Sequence, residues 1–308
     1  MRLSDQGAVT FAQSHLAIAP LLQACRRFVD GRSRSAQAMS TPVRGLSVIR
    51  ALDPGELQVA VQKPLIAILL QGRKRVATLG TSFEYAQGEA MVISADIPTI
   101  SQITRASIAA PYYSLVLEFD TAILRELGPA IPLRAGEVCP VKVEPVSAEV
   151  TDAALRLVRV LDDPGALSVL ADGLLRELHY WLLTGVHGPA IRALGAVDSH
   201  ADRIGRAVDI LRRDFARTIR IEELAEAAGM SMPAFHRHFR TITSLSPLQF
   251  QKQLRLIEAR RLMLTEGSRI ARAAEAVGYV SVPQFTREYG RLFDAPPGRD
   301  IRLLKAAG

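Results

Sequence analysis

Two stretches of this chain gather side chains suited to a polyanion along one side of a helix. In the first, at about 100° per residue, Pro233, His236, Arg237 and Arg240 point away from Phe235, Phe239 and Ile242, which fall at i, i+4 and i+7. In the second, Pro283, Thr286, Arg287 and Gly290 point away from Phe285, Tyr289 and Leu292, and Gln284 borders the outer side. A guanidinium offers paired donors that match O6 and N7 of guanine, and a glutamine amide matches adenine. An aromatic core stripe backed by a His/Arg outer side therefore suits a helix lying in a major groove. Either stretch alone reads equally as an ordinary surface helix. The candidate DNA-contacting residues are Pro233, His236, Arg237, Arg240, Pro283, Gln284, Thr286 and Arg287. His236 and His238 stand at i and i+2, which do not converge on one face, so they are expected to face or flank a groove and to bind no metal.

The two stretches belong to one pattern used twice. Ala225 and Gly229 recur 49 residues later as Ala274 and Gly278. After one inserted residue, Ser231, Pro233, Phe235, Arg237 and Phe239 recur 50 residues later as Ser281, Pro283, Phe285, Arg287 and Tyr289. Two copies are too few for a solenoid. A short helix, a glycine turn and a second helix form a helix-turn-helix unit, expected at 221–242 and again at 269–293. Ser231 is placed to cap the first outer-face helix, and Ser281 to Gln284 has the spacing of a capping box. A helix from Ala201 to Phe215 precedes the first unit. Between the copies, Ser246-Pro247-Leu248-Gln249 opens a helix and Gly267 stops it. From Pro247 to Thr265 that helix would run about 28 Å. Successive major grooves on one face of DNA lie about 34 Å apart, so such a rod can hold two reading helices in neighbouring grooves.

Charge follows the same division. From Ser199 to Gly308 there are 19 Lys+Arg against 12 Asp+Glu, whereas from Met1 to Asp198 there are 19 against 19. The whole net charge of +7 therefore sits in the part that holds the repeat, which fits attraction of that part alone to a polyanion. Hydrophobic residues make up 48% of the 308, enough for folded cores. The only cysteines, Cys25 and Cys139, form neither a metal spacing nor a disulfide framework, which points to a reducing cytoplasm. The N-terminus lacks a secretory pattern, and no apolar run approaches the roughly 20 residues of a membrane span, so no membrane partner is expected.

The first 45 residues read as an arm, with a helix from Ala12 to Val29 and a polar segment from Arg32 to Thr41. Strands are expected at Leu46–Ala51, Leu57–Val61, Leu65–Gln71, Arg75–Leu79, Ser82–Tyr85, Ala90–Ile93, Thr99–Ile103 and Tyr112–Glu118, which suits a small barrel or jelly roll. Arg73, Lys74 and Arg75 read as a hairpin turn. Tyr85, Tyr112, Tyr113 and Arg50 are possible barrel liners, each equally explained by packing or a solvated face. A Pro/Gly-rich stretch from Leu127 to Pro145 follows, then helices over Ser147–Leu161 and Leu167–Leu183 that could pack on the barrel or pair two copies. Gly185 to Ser199 reads as a linker.

The repeat resembles the AraC/XylS family of bacterial transcription regulators. The likeness rests on Ala225 to Ser231, Phe235 to Phe239, Leu245 to Phe250 and Leu254 to Leu262. In the second unit it rests on Ala274, Val277-Gly278-Tyr279, Ser281, Gln284-Phe285, Arg287, Tyr289 and Pro297. The chain departs from the family near its end, where Asp300 and Ile301 replace the usual aromatic and arginine. The stretch Leu70 to Val76, with Phe83-Glu84-Tyr85 and Gly88, resembles the effector domain of one branch of that family. The resemblance implies an α+β chain: a cupin-like β-barrel with dimerisation helices over 46–190, then an all-α DNA-binding domain over 200–305. It implies a cytoplasmic regulator, an activator by preference, that takes double-stranded DNA in two successive major grooves. A small organic effector, a second copy of the chain and RNA polymerase are the other partners it suggests. No histidine lies between His15 and His179, which argues against a metallo-cupin. No cofactor, metal or catalytic residue is assigned. Two alternatives stay open: a DNA-binding module fused to a cysteine-dependent enzyme domain, and a DNA-binding protein that needs no ligand.

Overall fold

The computed structural model describes residues 5–30, 32, 38–55, 58–78, 81–132, 139–196 and 199–307. Its main division falls between Ser199 and His200. The first unit begins with helix α1 (Asp5–Asp30) and strands β1 (Ala38–Ser40), β2 (Leu46–Ala51), β3 (Gln58–Gln62), β4 (Leu65–Gln71) and β5 (Arg73–Thr78). Strands β6 (Thr81–Ala86), β7 (Glu89–Ile93), β8 (Ile97–Arg105) and β9 (Tyr112–Glu118) follow. Helix α2 (Thr121–Leu127), strand β10 (Val141–Pro145) and helices α3 (Ala148–Arg159), α4 (Pro164–Thr184) and α5 (Gly188–Gly195) complete it.

The strands form two antiparallel sheets, of order β1-β2-β9-β4-β7-β10 and β3-β8-β5-β6. The cupin-like expectation thus takes the form of a two-sheet sandwich. Side chains alternate across each strand, so a row in register shares one face. Val48, Leu115, Ile68 and Ala90 form such a row across the larger sheet. They are buried in one core with Ile18, Leu21, Cys25 and Phe28 of α1, with Ala153, Leu157 and Val158 of α3, and with Leu178 and Leu182 of α4. The opposite face of that sheet carries Ala67, Met91, Tyr112 and Ser114, all buried.

Four features differ from the sequence reading. The helix expected within an arm supplies Ile18, Leu21, Leu22, Cys25, Phe28 and Val29 to the core, at the i, i+3, i+4, i+7 spacing of a buried helix face. Half of the polar segment from Arg32 to Thr41, residues 33–37, lies outside the described residues, and Ala38–Ser40 pairs with β2. Arg73, Lys74 and Arg75 are not a turn but the start of β5, because Gly72 at φ +96° makes the reversal. Their charges misled, since Arg73 and Arg75 are exposed while Lys74 points the other way. The expected linker from Gly185 holds α5, whose Ile191 and Leu194 are buried in the first core; its flanking glycines read as breakers.

The second unit, with which Val59–Val61 and Asp96–Thr99 also group, is all helical from His200 onward: α6 (His200–Asp214), α7 (Ile221–Ala227), α8 (Met232–Thr243), α9 (Pro247–Thr265), α10 (Ile270–Ala276), α11 (Val282–Phe293) and α12 (Pro297–Ala307). It has two cores. Ile204, Val208, Leu211, Leu224, Phe235 and Phe239 fill the first. Ala273, Ala274, Val277, Phe285 and Tyr289 fill the second. Helix α9 feeds both, giving Phe250 to the first and Leu256, Ala259 and Met263 to the second.

Candidate nucleic-acid interface

The sequence repeat is a repeat in geometry. Between α7 and α8, Gly229 takes φ +59°, its N–H donates to the Glu226 carbonyl at 2.8 Å, and Met230 N–H donates to Ala225 at 2.9 Å. Between α10 and α11, Gly278 takes φ +84°, donates to Glu275 at 2.9 Å, and Tyr279 N–H donates to Ala274 at 2.9 Å. Both are left-handed helix stops that favour glycine. At Gly278 a second constraint applies: a Cβ there would lie 1.9 Å from the Ala216 carbonyl oxygen. Helices α8 and α11 also end alike, on Ser244 at φ 62° and Asp294 at φ 54°.

Caps start these helices with unequal strength. Ser246 and Gln249 form the full reciprocal capping box at α9. At α11, Ser281 Oγ accepts from Gln284 N at 3.3 Å, but the Gln284 side chain does not return to the cap. It donates instead from Nε2 to Glu288 Oε1 at 3.1 Å. At α8, Ser231 holds the cap position without a side-chain hydrogen bond.

On α8 the aromatic stripe is fully buried, with Phe235 and Phe239 in mutual contact at 5.4 Å between ring centroids. Pro233, His236, Arg237 and Arg240 are exposed on the other side. On α11, Phe285 and Tyr289 are buried; Pro283, Gln284 and Arg287 are exposed and Thr286 is half-buried. His238 leaves the outer side: it is half-buried, with its ring stacked on His200 at 3.7 Å. Burial, followed by the neighbouring His200 and Arg237, lowers its pKa from the ordinary histidine value. Arg291, exposed one turn beyond Arg287, is a basic residue the helical-wheel reading passed over. Its i+4 spacing from Arg287 is the signal that could have found it.

Other arginines of this unit are spent on structure. Arg255 on α9 donates from Nε to the Phe215 carbonyl at 2.7 Å, from Nη1 to Gly278 at 3.1 Å, and from Nη2 to Ala216 and Arg217 at 3.2 and 3.0 Å. Gln251, one turn earlier, donates to the Phe215 and Arg217 carbonyls at 2.9 and 2.8 Å. Arg260 grips both oxygens of Asp300 at 2.9 and 2.8 Å, and Tyr289 Oη donates to Asp300 Oδ2 at 2.6 Å. The departure from the family pattern at Asp300 thus holds α12 against α9 and α11. By contrast Arg237, Arg240, Arg287 and Arg291 form no ion pair among the described residues. Glu288 anchors the front of α11 by accepting from Lys252 Nζ at 2.8 Å and Tyr279 Oη at 2.7 Å. Burial works against its charge, but the donors Lys252, Tyr279 and Gln284 outweigh burial and hold the carboxyl below the ordinary range.

In the first unit the four possible liners separate. Tyr113 and Arg50 pair in register on the helix-covered face, where Arg26 lies 5.5 Å over the Tyr113 ring and Arg50 faces Asp30 at 3.6 Å. Tyr85 and Tyr112 are buried on facing sheets and meet between them, with Ser114 beside Tyr112. Burial first, and the Tyr112 hydroxyl second, raise the Tyr85 hydroxyl well above the ordinary phenol range; Tyr112 is pushed up to about 12. The three hydroxyls are near enough to affect one another's acidity, yet none reaches hydrogen-bonding geometry with a partner among the described residues.

Comparison with known proteins agrees with these features. A family model described as the AraC-type transcriptional regulator N-terminus matches residues 42–190, and one described as a helix-turn-helix domain matches 224–302. The chain is 31% identical over 106 residues to the HTH-type transcriptional regulator GbdR of Pseudomonas aeruginosa, covering 34% of this chain and 29% of that one. It is 31% identical over 108 residues to the HTH-type transcriptional activator RhaS of Citrobacter koseri, covering 35% and 38%. The matches thus span well under half the length of either relative. In fold, the chain is similar to ToxT of Vibrio cholerae solved with an unsaturated fatty acid bound, with TM-score 0.55 and 10% identity over 87% of this chain and 97% of that one. With an AraC-type N-terminus and a helix-turn-helix domain matched in order along it, the chain belongs to the AraC/XylS family of transcriptional regulators.

Proposed function

We propose that this protein is a one-component transcription regulator that binds double-stranded DNA through α8 and α11 in two successive major grooves. The observation that carries this reading is the pair Arg237 and Arg287. They stand at equivalent points of two units with matching turns, both exposed on helices whose opposite sides are buried. Each is suited to a bidentate contact with guanine. Pro233, His236, Pro283, Gln284 and Thr286 lie along the same surfaces, and Arg240 and Arg291 are suited to phosphates.

The first unit is read as the sensor. The unpartnered hydroxyls of Tyr85, Tyr112 and Ser114 support a small organic effector held between the sheets, since a buried hydroxyl left unpaired costs about 1–3 kcal/mol. That ToxT was solved with a fatty acid bound is a precedent in the same fold. Exposed Val169, Leu170 and Tyr180 along α4 support a homodimer, and contact of the assembled regulator with RNA polymerase would make it an activator. Cytoplasmic residence follows from that role, and among the described residues no helix is long and apolar enough to cross a membrane. A cysteine-dependent enzyme finds no support at Cys25, whose thiol burial pushes up to about 12.

The test is selection of sites from random duplexes by the full chain. The expected product is a bipartite motif whose halves lie about one helical turn, roughly 10 base pairs, apart. Recovery of a single short half-motif, or of no motif, would overturn the reading.

A further inference from the structure

The first unit contains a cavity away from the space between the sheets. It lies on the helix-covered side, where the start of α3, the end of α4 and the turn into α5 meet strands β4 and β7. Its volume is about 370 Å³, within the range of small-molecule sites. Ile66, Val146, Val150, Leu182 and Val186 make its apolar wall, with Trp181 alongside.

Three groups give that wall a chemical bias. Trp181 presents a held ring: its Nε1–H donates to Glu177 Oε1 at 3.3 Å, and the Tyr180 ring packs edge-on at 5.1 Å. His187 lines the cavity while only 9% exposed, and its imidazole makes no hydrogen bond with the described residues. An imidazole that lines a cavity without such a partner offers it both a donor and an acceptor. Among the described lining residues Glu149 is the only side chain that carries a full charge at neutral pH, because none of them is a lysine or arginine and burial keeps His187 neutral. It is exposed in the first turn of α3, at the edge of the site.

We propose that this cavity binds a small aromatic amine, with the ring against Trp181 and the apolar wall, a polar group on His187, and the ammonium at the Glu149 carboxylate. A ring meets the flat indole face with offset or edge geometry, a contact worth more than its area alone. An anion of the same size is repelled by Glu149; Lys142, whose charge reaches His187, is paired with Glu144 at 2.8 Å, and no cation stands among the described lining residues. This site goes beyond the sensor reading above, because it shares none of the residues between the sheets.

Trp181 is the single tryptophan of the chain, so its emission reports on this cavity alone. The full protein is titrated with 2-phenylethylamine, 2-phenylethanol and 3-phenylpropanoate, none of which absorbs at the red edge of tryptophan excitation. The amine should change the emission saturably. The alcohol should bind about two- to fivefold more weakly, the range expected of one solvent-exposed ion pair. The carboxylate should bind weakest. Glu149→Gln should bring the amine down to the level of the alcohol without altering far-UV dichroism, and His187→Gln should leave the amine preference in place while weakening both probes. No saturable response from any probe overturns the site. Equal affinities for all three, or a preference for the anion, overturn the assigned chemistry. The readout needs no DNA, so its outcome is separate from that of the site selection.

Discussion

Arg255 donates a hydrogen bond to the main-chain carbonyl of Gly278 at 3.1 Å. The same guanidinium holds the carbonyls of Phe215, Ala216 and Arg217, so one side chain of α9 ties the end of α6 to the turn of the second helix-turn-helix unit. Burial lowers its pKa from the ordinary arginine value without threatening its charge. Arg255→Ala is expected to destabilise the second unit by about 2–3 kcal/mol, since hydrogen bonds to charged groups are lost and carbonyls are stranded. Arg255→Lys should recover little, because an ammonium cannot reproduce the planar fork. Thermal unfolding of the full chain checks this; equal stability of the lysine variant and the wild type would contradict it.

Base reading has its own expected signature. Arg237→Ala should cost about 1–3 kcal/mol of binding and relax preference in one half of the selected site, and Arg287→Ala should do the same in the other half. Anisotropy titrations on matched and randomised duplexes measure both. An equal loss on every duplex would leave these arginines as phosphate contacts.

Arg291→Ala should act differently. Affinity should fall evenly across sequences, and the slope of log K against log salt should shrink by about one. An unchanged slope would remove Arg291 from the surface that meets DNA.

The buried pair Arg260–Asp300, with side chains 11% and 9% exposed, gives a stability prediction. Asp300→Asn leaves the guanidinium without its counter-charge and should cost about 3–5 kcal/mol, the range for breaking a buried pair. The one amide oxygen of asparagine cannot accept from all three donors, Arg260 Nε, Arg260 Nη2 and Tyr289 Oη, that Asp300 now serves. The loss should appear as a lower melting temperature of the second unit.

Histidine burial sets the acid limit of the first unit. Burial lowers the His187 pKa from 6.5 to about 4, with Glu144 opposing and Lys142 assisting. His179 is lowered too, chiefly by burial; its Nδ1–H donates to Leu175 at 2.8 Å while its Nε2 accepts from Asp120 N at 3.0 Å. The unfolded state therefore binds more protons than the folded state below about pH 6.5, and stability falls as pH drops from there towards about 4. The slope from His187 alone approaches about 1.4 kcal/mol per pH unit, less whatever solvent reaches the ring. His187→Gln should flatten the fall in melting temperature across that window.

The helical half was legible because its signals are local. Ser246, Pro247 and Gln249 mark the start of α9 within four residues, and the glycines at 229 and 278 mark turns that only a left-handed residue makes easily. The central strands were legible from their alternation and turn residues. The three-residue β1 and the edge strand β10 carried too little apolar pattern to stand out, and α5 hid between two glycines. Gln284 has the spacing of a cap partner, but spacing cannot show that Glu288, one turn on, competes for its amide. The meeting of Tyr85 with Tyr112 depends on how two sheets face each other, and no window along the chain contains that. Arg50 and Tyr113 went with them for the same reason, since a one-residue change of register moves a side chain to the opposite face.

Because α9 is built into both helical cores, the second unit has no joint between its two outer-face helices. An operator that gains one base pair between its halves turns the second half by roughly 35° around the duplex axis, at about 10 base pairs per turn. A pair of domains on a flexible tether could follow that rotation, whereas this unit would have to break a core or bend the duplex. Its regulon should therefore tolerate drift in sequence at many positions and almost none in spacing, so that insertions and deletions, more than base changes, decide which promoters it keeps.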